Sequence, residues 1–129
     1  MYSDRDRTET LLKGIQKELD LIFQMSAPIK EANDFGTNLQ GMTIFRACGM
    51  SLQYVTESFI KIRNLRGKEF FTPYKGIPWE KVFGMRNFLS HQYVEVDEVA
   101  FFSTIREDLP PLKQVVERML QEVDPFTDE

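Results

Sequence analysis

The sequence predicts an all-α protein, an antiparallel bundle of about five helices, on three observations. Apolar residues recur at steps of three and four along most of the chain, which is the period of a helix with one buried face. No segment alternates apolar and polar residues as a half-buried strand would. Proline and glycine clusters separate the periodic segments by short intervals. We expect residues 1–129 to form a single domain, because a chain of this length buries one core.

The first two helices follow directly from these periods. The first is expected from about Ser3 to Ser26, with an apolar face made of Leu11, Leu12, Ile15, Leu19, Ile22 and Phe23. Pro28 and the stretch "NDFGTN" end it. A long central helix then has its apolar positions at Leu39, Met42, Phe45, Gly49, Leu52, Val55, Phe59 and Ile62. Glycine inside a helix costs about 1 kcal/mol relative to alanine. Close approach of a neighbouring helix is one reason for the long helix to tolerate Gly41 and Gly49.

The second half of the chain predicts a loop and three shorter helices. The stretch "RNLRGKEFFTPYKGIP", residues 63 to 78, is expected to be a loop that Phe70, Phe71 and Tyr74 partly order. Pro78 suits the first position of a third helix, which carries Trp79, Val82, Phe83, Met85 and Leu89. Asp97 can cap a fourth helix with Val99, Phe102 and Ile105. Pro110 or Pro111 can open a fifth, with Leu112, Val115, Val116, Met119 and Leu120.

The composition excludes several classes of protein. Apolar residues make up 42% and charged residues 28%, as in soluble globular proteins, and no segment is apolar for long enough to span a membrane. The N-terminus "MYSDRDRTET" lacks the apolar stretch of a secretory signal, so we expect a cytoplasmic location. A single cysteine rules out an internal disulfide, and one cysteine with one histidine cannot supply the ligands of a zinc site. An oxygen-ligated magnesium site stays open as an alternative, but the sequence has no clustered carboxylate motif for one, and we expect no metal and no cofactor. Cys48 is most simply a small buried hydrophobic residue.

Positive charge is concentrated in one segment of an otherwise acidic chain. Between Lys61 and Arg86 there are seven basic and two acidic residues, although the net charge of the whole chain is −4. A basic segment suits a phosphate-bearing partner such as RNA, and a plain solvated surface is the alternative. The candidate RNA-binding residues are Arg63, Arg66, Lys68, Lys75 and Lys81.

The stretch "GMRNFLSHQYVEVD", residues 84 to 97, follows this segment and contains the candidate reaction centre. Histidine transfers protons near neutral pH, and arginine stabilises charge on phosphoryl oxygens. Arg86 and His91 therefore suit RNA cleavage, in which a base takes the proton of the 2′-hydroxyl and that oxygen attacks the adjacent phosphorus. Asn87, one turn before His91, can hold the imidazole or a substrate oxygen. The alternative is that His91 is a helix cap or a packed side chain and that Tyr93 lies at the edge of the core.

Two features of this stretch indicate a homodimer. Arg86 and His91 are about 140° apart around a helix, so one helix does not aim both at one point, and they could either converge on a substrate lying across the helix or meet across two copies of the chain. In-line cleavage also benefits from both a base and an acid, and the chain has one histidine. A second copy of the chain would supply the second group.

The same residues resemble the signature of the HepT-like branch of the HEPN superfamily: arginine, asparagine, three residues, histidine, any residue, tyrosine. "GIPWEKVFGMRNFLSHQY" resembles the helix that carries this signature, and "YVTESFIKI" resembles the helix that places a glutamate, here Glu57, beside it. The resemblance implies a dimeric helical bundle with a metal-independent endoribonuclease site, in which Arg86 and His91 are catalytic. Asn87, Ser90 and Glu57 are then supporting residues.

The resemblance also implies a toxin whose partner is a minimal nucleotidyltransferase antitoxin. In that family the antitoxin transfers AMP to the signature tyrosine, which is Tyr93 here, and so silences the nuclease. Two other interpretations of the sequence remain open. One is a non-catalytic companion subunit that binds nucleotide or substrate for a nucleotidyltransferase, and the other is a purely structural dimeric bundle.

Overall fold

The computed structural model describes residues 3–91 and 97–123, and within residues 87–91 it describes the backbone alone. These residues form five helices longer than one turn and contain no strand, so the all-α prediction is confirmed. The five helices are α1 (Asp4–Met25), α3 (Leu39–Arg66), α4 (Trp79–His91), α5 (Glu98–Ser103) and α6 (Leu109–Glu122). A single helical turn, α2 (Asp34–Thr37), lies between α1 and α3.

Helix α1 has a cap at each end that its sequence provides. The Ser3 hydroxyl accepts a hydrogen bond from the Asp6 backbone N–H at 3.1 Å, and the Asp6 carboxylate accepts one from the Ser3 N–H at 3.3 Å. This reciprocal pair satisfies two donors that a helix start leaves open. At the other end the Ser26 N–H donates to Ile22 at 2.9 Å. The predicted limits, Ser3 and Ser26, are therefore the two capping residues.

Helices α1 and α3 form an antiparallel pair at the centre of the core. Arg66 near the end of α3 reaches Thr8 near the start of α1, with 3.0 Å between Nη1 and Oγ1, and Cys48 lies against the Ile22 carbonyl. The face of α1 that contacts α3 is buried, and so are the α3 positions Cys48, Leu52, Val55, Phe59 and Ile62. Burial of each large apolar side chain stabilises the fold by about 1.5–3 kcal/mol.

The start of α3 explains one of the two glycines inside it. A Cβ at Gly41 would overlap the backbone carbonyl oxygen of Asp34 in α2. Close approach of a neighbouring segment is thus confirmed for Gly41. Gly49 is buried in the same helix.

The predicted loop after α3 is partly helical, which corrects one boundary. Residues 63 to 66 continue α3 for one more turn, and the helix ends at Gly67, whose φ of 81° is a conformation that glycine adopts without strain. A short 3-10 helix, Lys68–Phe71, follows. Phe71 and Tyr74 are buried and Phe70 is half-buried against the core, so the three rings predicted to order the segment before α4 all pack there.

The fourth and fifth predicted helices are continuous in the structure, which is a second correction. Asp97 caps α5 as expected, its carboxylate accepting from the Val99 N–H at 2.8 Å. The helix then passes through a π-helical segment, Thr104–Asp108, into α6 without a break. Pro110 and Pro111 lie in the first turn of α6 and have no backbone N–H to donate to the π-helical segment before them.

Several residues that the helical period assigned to the apolar face are exposed. Leu39 is 75% and Val99 is 66% exposed, and Met42 also faces solvent. Met50, at 70%, and Tyr54 continue the exposed apolar surface along α3. Within residues 3–91 and 97–123, none of the helices combines the length and apolar character needed to cross a membrane.

Candidate functional site

Helix α4 is held against α3 by aromatic packing at its start. The Trp79 ring contacts Phe59 of α3, with ring centroids 5.2 Å apart, and Phe71, with centroids 4.6 Å apart. Its indole N–H donates to the Tyr74 carbonyl at 2.9 Å. One turn further on, Phe83 is buried against Phe71. This cluster fixes both the position and the rotation of α4, and so decides which α3 residue each α4 side chain meets.

The consequence is an ion pair at the centre of the candidate site. Arg86, three residues after Phe83, meets Glu57 of α3 with 3.0 Å between Nε and Oε2. The two side chains are 52% and 36% exposed, so the pair lies at the surface, where a substrate could reach the guanidinium. An arginine side chain is long and flexible and can adopt many orientations. Pairing with Glu57 favours one of them for Arg86. The structure thus places Glu57 beside Arg86, the first residue of the signature. The sequence resemblance implies a glutamate at this position.

The rest of the signature continues along the same helix. The backbone of Asn87, Ser90 and His91 is part of α4, which ends at His91, and their side chains lie outside the described residues. On a regular helix His91 is about 7.5 Å further along the axis than Arg86. Tyr93, the candidate AMP acceptor, also lies outside the described residues.

The predicted RNA-binding residues fall into two groups. Arg63 lies over the Phe83 ring, with 4.4 Å from its guanidinium carbon to the ring centroid. Arg66 lies over Phe70 at 5.1 Å and also donates to Thr8. Lys68 is 3.6 Å from a carboxylate oxygen of Glu80. These three residues thus have structural contacts of their own.

Lys75 and Lys81 are exposed and line separate grooves. Lys75 lies beside Trp79 and Phe83 at the start of α4. Lys81 lines a cavity of about 350 Å³ between α4 and the segment that leads into α6. Glu107 and Asp108 also line that cavity, and their negative charges make it unfavourable for a phosphate.

One charged residue near the pair was not among the candidates. Lys61 follows Glu57 by four residues on α3, so the two share one face of the helix. Lys61 belongs to the basic segment of the sequence. Its i,i+4 spacing from Glu57 is the sequence signal that identifies it as a cation near the Arg86–Glu57 pair. Among the described residues, no group of three or more histidine, cysteine, aspartate or glutamate side chains is arranged to hold a metal ion.

The fold and the site define a helical bundle with a surface arginine–glutamate pair at the start of the arginine-to-tyrosine signature. A family model described as "Ribonuclease HepT-like" matches residues 15–119, which is most of the chain and includes this pair. The chain belongs to the HepT-like ribonuclease family, and its enzyme class is that of an endoribonuclease.

Three curated relatives, whose names all contain the words "putative RNase", agree with this assignment. One from Methanocaldococcus jannaschii is 27% identical over 65% of this chain and 73% of its own length. One from Caldanaerobacter subterraneus subsp. tengcongensis is 34% identical over 59% of this chain and 64% of its own. The third, also from M. jannaschii, has a name that includes gamma-glutamylcyclotransferase. It is 29% identical over 93% of this chain, and the matched region spans half the length of that relative. No solved structure gave a significant match.

Proposed function

We propose that this chain is a single-domain endoribonuclease toxin that cleaves RNA without a metal ion, through Arg86 and His91. The observation that carries the proposal is the Arg86–Glu57 ion pair, which holds a guanidinium at the surface of the helix that leads to His91. A phosphate diester that lies across α4 at this point meets a fixed cation first and a proton-transfer group within two turns.

The proposed reaction needs two proton transfers. His91 removes the proton from a ribose 2′-hydroxyl, and that oxygen forms a bond to the adjacent phosphorus. The bond from phosphorus to the 5′-oxygen breaks, and this oxygen takes up a proton from a second, protonated imidazole. Arg86 neutralises the charge that builds on the phosphoryl oxygens. The products are a 2′,3′-cyclic phosphate and a 5′-hydroxyl, and Asn87 and Ser90 support the reacting groups by hydrogen bonds.

We propose that the second imidazole comes from a second copy of the chain. The exposed apolar surface of α3 supports this, because Leu39, Met50 and Glu57 are separated by 11 and 7 residues, close to whole numbers of helical turns. A two-fold dimer that buries Leu39 and Met50 would therefore bring the Arg86–Glu57 pairs of both copies to the border of one interface.

The dimer has its own test. Met50→Glu places a charge in the proposed interface and is expected to give monomers in sedimentation and to lose cleavage activity. Lys30→Glu, on the exposed loop before α2, is the control and should leave both unchanged. A monomeric Met50→Glu protein with full activity would refute the shared site.

We further propose that a minimal nucleotidyltransferase antitoxin silences the enzyme by adenylylation of Tyr93. The tyrosine oxygen would attack the α-phosphorus of ATP and release pyrophosphate. The added AMP carries bulk and negative charge two residues from His91, where it would repel RNA phosphate. Membership of the family and the position of Tyr93 in the signature support this regulation. Mass spectrometry after incubation with the antitoxin and ATP should find AMP on the wild type and none on Tyr93→Phe, whose cleavage activity persists.

The primary test is cleavage of end-labelled RNA in excess EDTA. Arg86→Ala is expected to lower kcat by about 10²–10³, and His91→Ala by roughly 10²–10⁴. Arg118→Ala is the matched control, since Arg118 is an exposed arginine of α6 that packs over Tyr74. Folded protein with no activity in any variant, wild type included, would refute the nuclease and favour the non-catalytic companion subunit. Equal activity in all variants would point to a contaminating nuclease.

A further inference from the structure

An open groove of about 420 Å³ lies between the N-terminal half of α1 and the last turns of α3. Three of its residues belong to each helix: Arg7, Thr10 and Leu11 to α1, and Lys61, Asn64 and Leu65 to α3. The groove thus combines an apolar floor of two leucines with cationic and neutral polar groups.

The groove is continuous with the candidate site. Lys61 and Asn64 follow Glu57 by four and seven residues, so all three lie close to one line along the exposed face of α3. At 1.5 Å per residue the groove begins about 6 Å beyond the carboxylate that holds Arg86. A chain lying in the groove is therefore directed towards the Arg86–Glu57 pair.

Its charge distinguishes this groove from four other pockets among the described residues. No acidic residue lines it, whereas each of four other pockets is lined by at least one, namely Asp34, Glu80, Glu107 with Asp108, or Glu117. Within the part of the chain that the structure describes, neither Arg7 nor Lys61 forms a salt bridge. Both side chains are exposed and able to bind an anion.

We propose that the RNA strand reaches Arg86 along this groove, with Arg7 and Lys61 binding its phosphates from opposite sides. This inference rests on the proposed function, because it assigns the substrate path of the same site. Cations that track a backbone are the general feature of proteins that bind single strands, and Leu11 and Leu65 provide an apolar surface for sugars and base faces. Asn64 is the neutral polar group between them. The proposal moves the phosphate contacts away from Arg63 and Arg66, which lie over aromatic rings.

Binding to a strand that cannot be cut tests the groove separately from catalysis. The probe is a fluorescein-labelled single-stranded oligonucleotide with 2′-O-methyl groups, because methylation blocks the attacking oxygen. Fluorescence anisotropy at several salt concentrations gives Kd and its salt dependence for wild type, Lys61→Gln and Arg7→Gln. Lys113→Gln is the control, since it makes the same charge change on α6, where Lys113 pairs with Asp20 at 2.8 Å. Asn64→Lys adds a cation inside the groove.

Each groove substitution is expected to weaken binding by about two- to fivefold and to reduce the slope of log Kd against log salt by about 0.7. Asn64→Lys should strengthen binding, and Lys113→Gln should match wild type. The groove is refuted if Lys61→Gln and Arg7→Gln bind like wild type, or if Lys113→Gln weakens binding equally.

Cleavage of the unmodified strand, measured in parallel, separates this inference from the proposed function. If the wild type cleaves RNA and both groove variants bind the methylated strand as the wild type does, the groove is refuted and the nuclease is not. Binding that depends on Arg7 and Lys61 without any cleavage supports the groove and refutes the nuclease. A wild type that neither binds nor cleaves refutes both.

Discussion

Replacing Glu57 by glutamine removes the negative charge from the Arg86 pair while keeping the length of the side chain. At the observed 3.0 Å, the Coulomb attraction is about 1.4 kcal/mol if solvent screens it as in bulk water. Both side chains are more than one-third exposed, and ordering them opposes the gain. The free energy of unfolding should therefore fall by only about 0.2–1 kcal/mol, the range of exposed ion pairs.

The effect on catalysis should be much larger than the effect on stability. Glu57 acts as a positioning residue, because it fixes the guanidinium that must meet the phosphoryl oxygens. Misplacement of a catalytic group by about 1 Å can cost on the order of 100-fold in rate, and we expect kcat to fall by roughly 10- to 100-fold. KM should stay equal or decrease, because the substitution removes a negative charge beside a polyanionic substrate.

Steady-state cleavage of a fluorogenic RNA, together with urea unfolding, measures both quantities. Glu80→Gln is the matched control: Glu80 pairs with Lys68 at 3.6 Å on the same helix as Arg86, with both side chains largely exposed. It should lower neither kcat nor stability measurably. A Glu57→Gln enzyme with kcat within twofold of wild type would refute the positioning role. A rise in KM at unchanged kcat would mean that Glu57 serves substrate binding instead.

Three further predictions concern stability and reactivity. Gly41→Ala should destabilise the protein by about 1–3 kcal/mol in urea unfolding, because its methyl group would overlap the backbone of α2. Gly84→Ala, with nothing within 4 Å of the added atom, should be neutral or stabilise by up to about 1 kcal/mol, and the opposite ranking would refute the packing. Burial, followed by the hydrogen bond and charge of Glu122, raises the pKa of Tyr74 well above its usual range. The folded state then keeps this proton when the unfolded state loses it, so stability should fall as pH rises above about 10, less steeply in Tyr74→Phe. Burial raises the pKa of the Cys48 thiol to about 11, so a thiol reagent at pH 8 should react only in denaturant, and rapid reaction of the native protein would contradict its burial.

Helix limits were predictable where a side chain caps the backbone locally. Ser3 and Asp97 begin their helices through hydrogen bonds to residues two or three positions away, and sequence reasoning needs no tertiary contact to find them. The end of α3 was predicted one turn too early. Three of the residues 63 to 66 are polar or basic, but Arg63 packs over Phe83 of α4 and Arg66 donates a hydrogen bond to Thr8 of α1, and these long-range contacts stabilise the added turn.

Exposure was less predictable than helical structure. The period of the sequence tells which residues share a face of a helix, but not whether another element covers that face. Leu39 and Met42 follow the same period as Leu52 and Phe59, yet no described segment covers the first pair, whereas α1 and α4 cover the second. The groove of Arg7 and Lys61 was missed for the same reason, since its two sides are more than 50 residues apart in the chain.

The sequence by itself determined the helical class, the caps and the arginine-to-tyrosine signature, because each of these depends on residues within a few positions of one another. The sequence also indicated the chemistry of Arg86 and His91, which is stabilisation of phosphoryl charge and proton transfer. The resemblance implied that Glu57 lies beside the signature, and the tertiary structure supplied the contact with Arg86 itself, because the rotation of α4 on α3 is set by the packing of Trp79 and Phe83. The tertiary structure also decided which cations face the same solvent surface as that pair. Contacts across the bundle depend on how helices pack, and no local pattern in the chain specifies that packing.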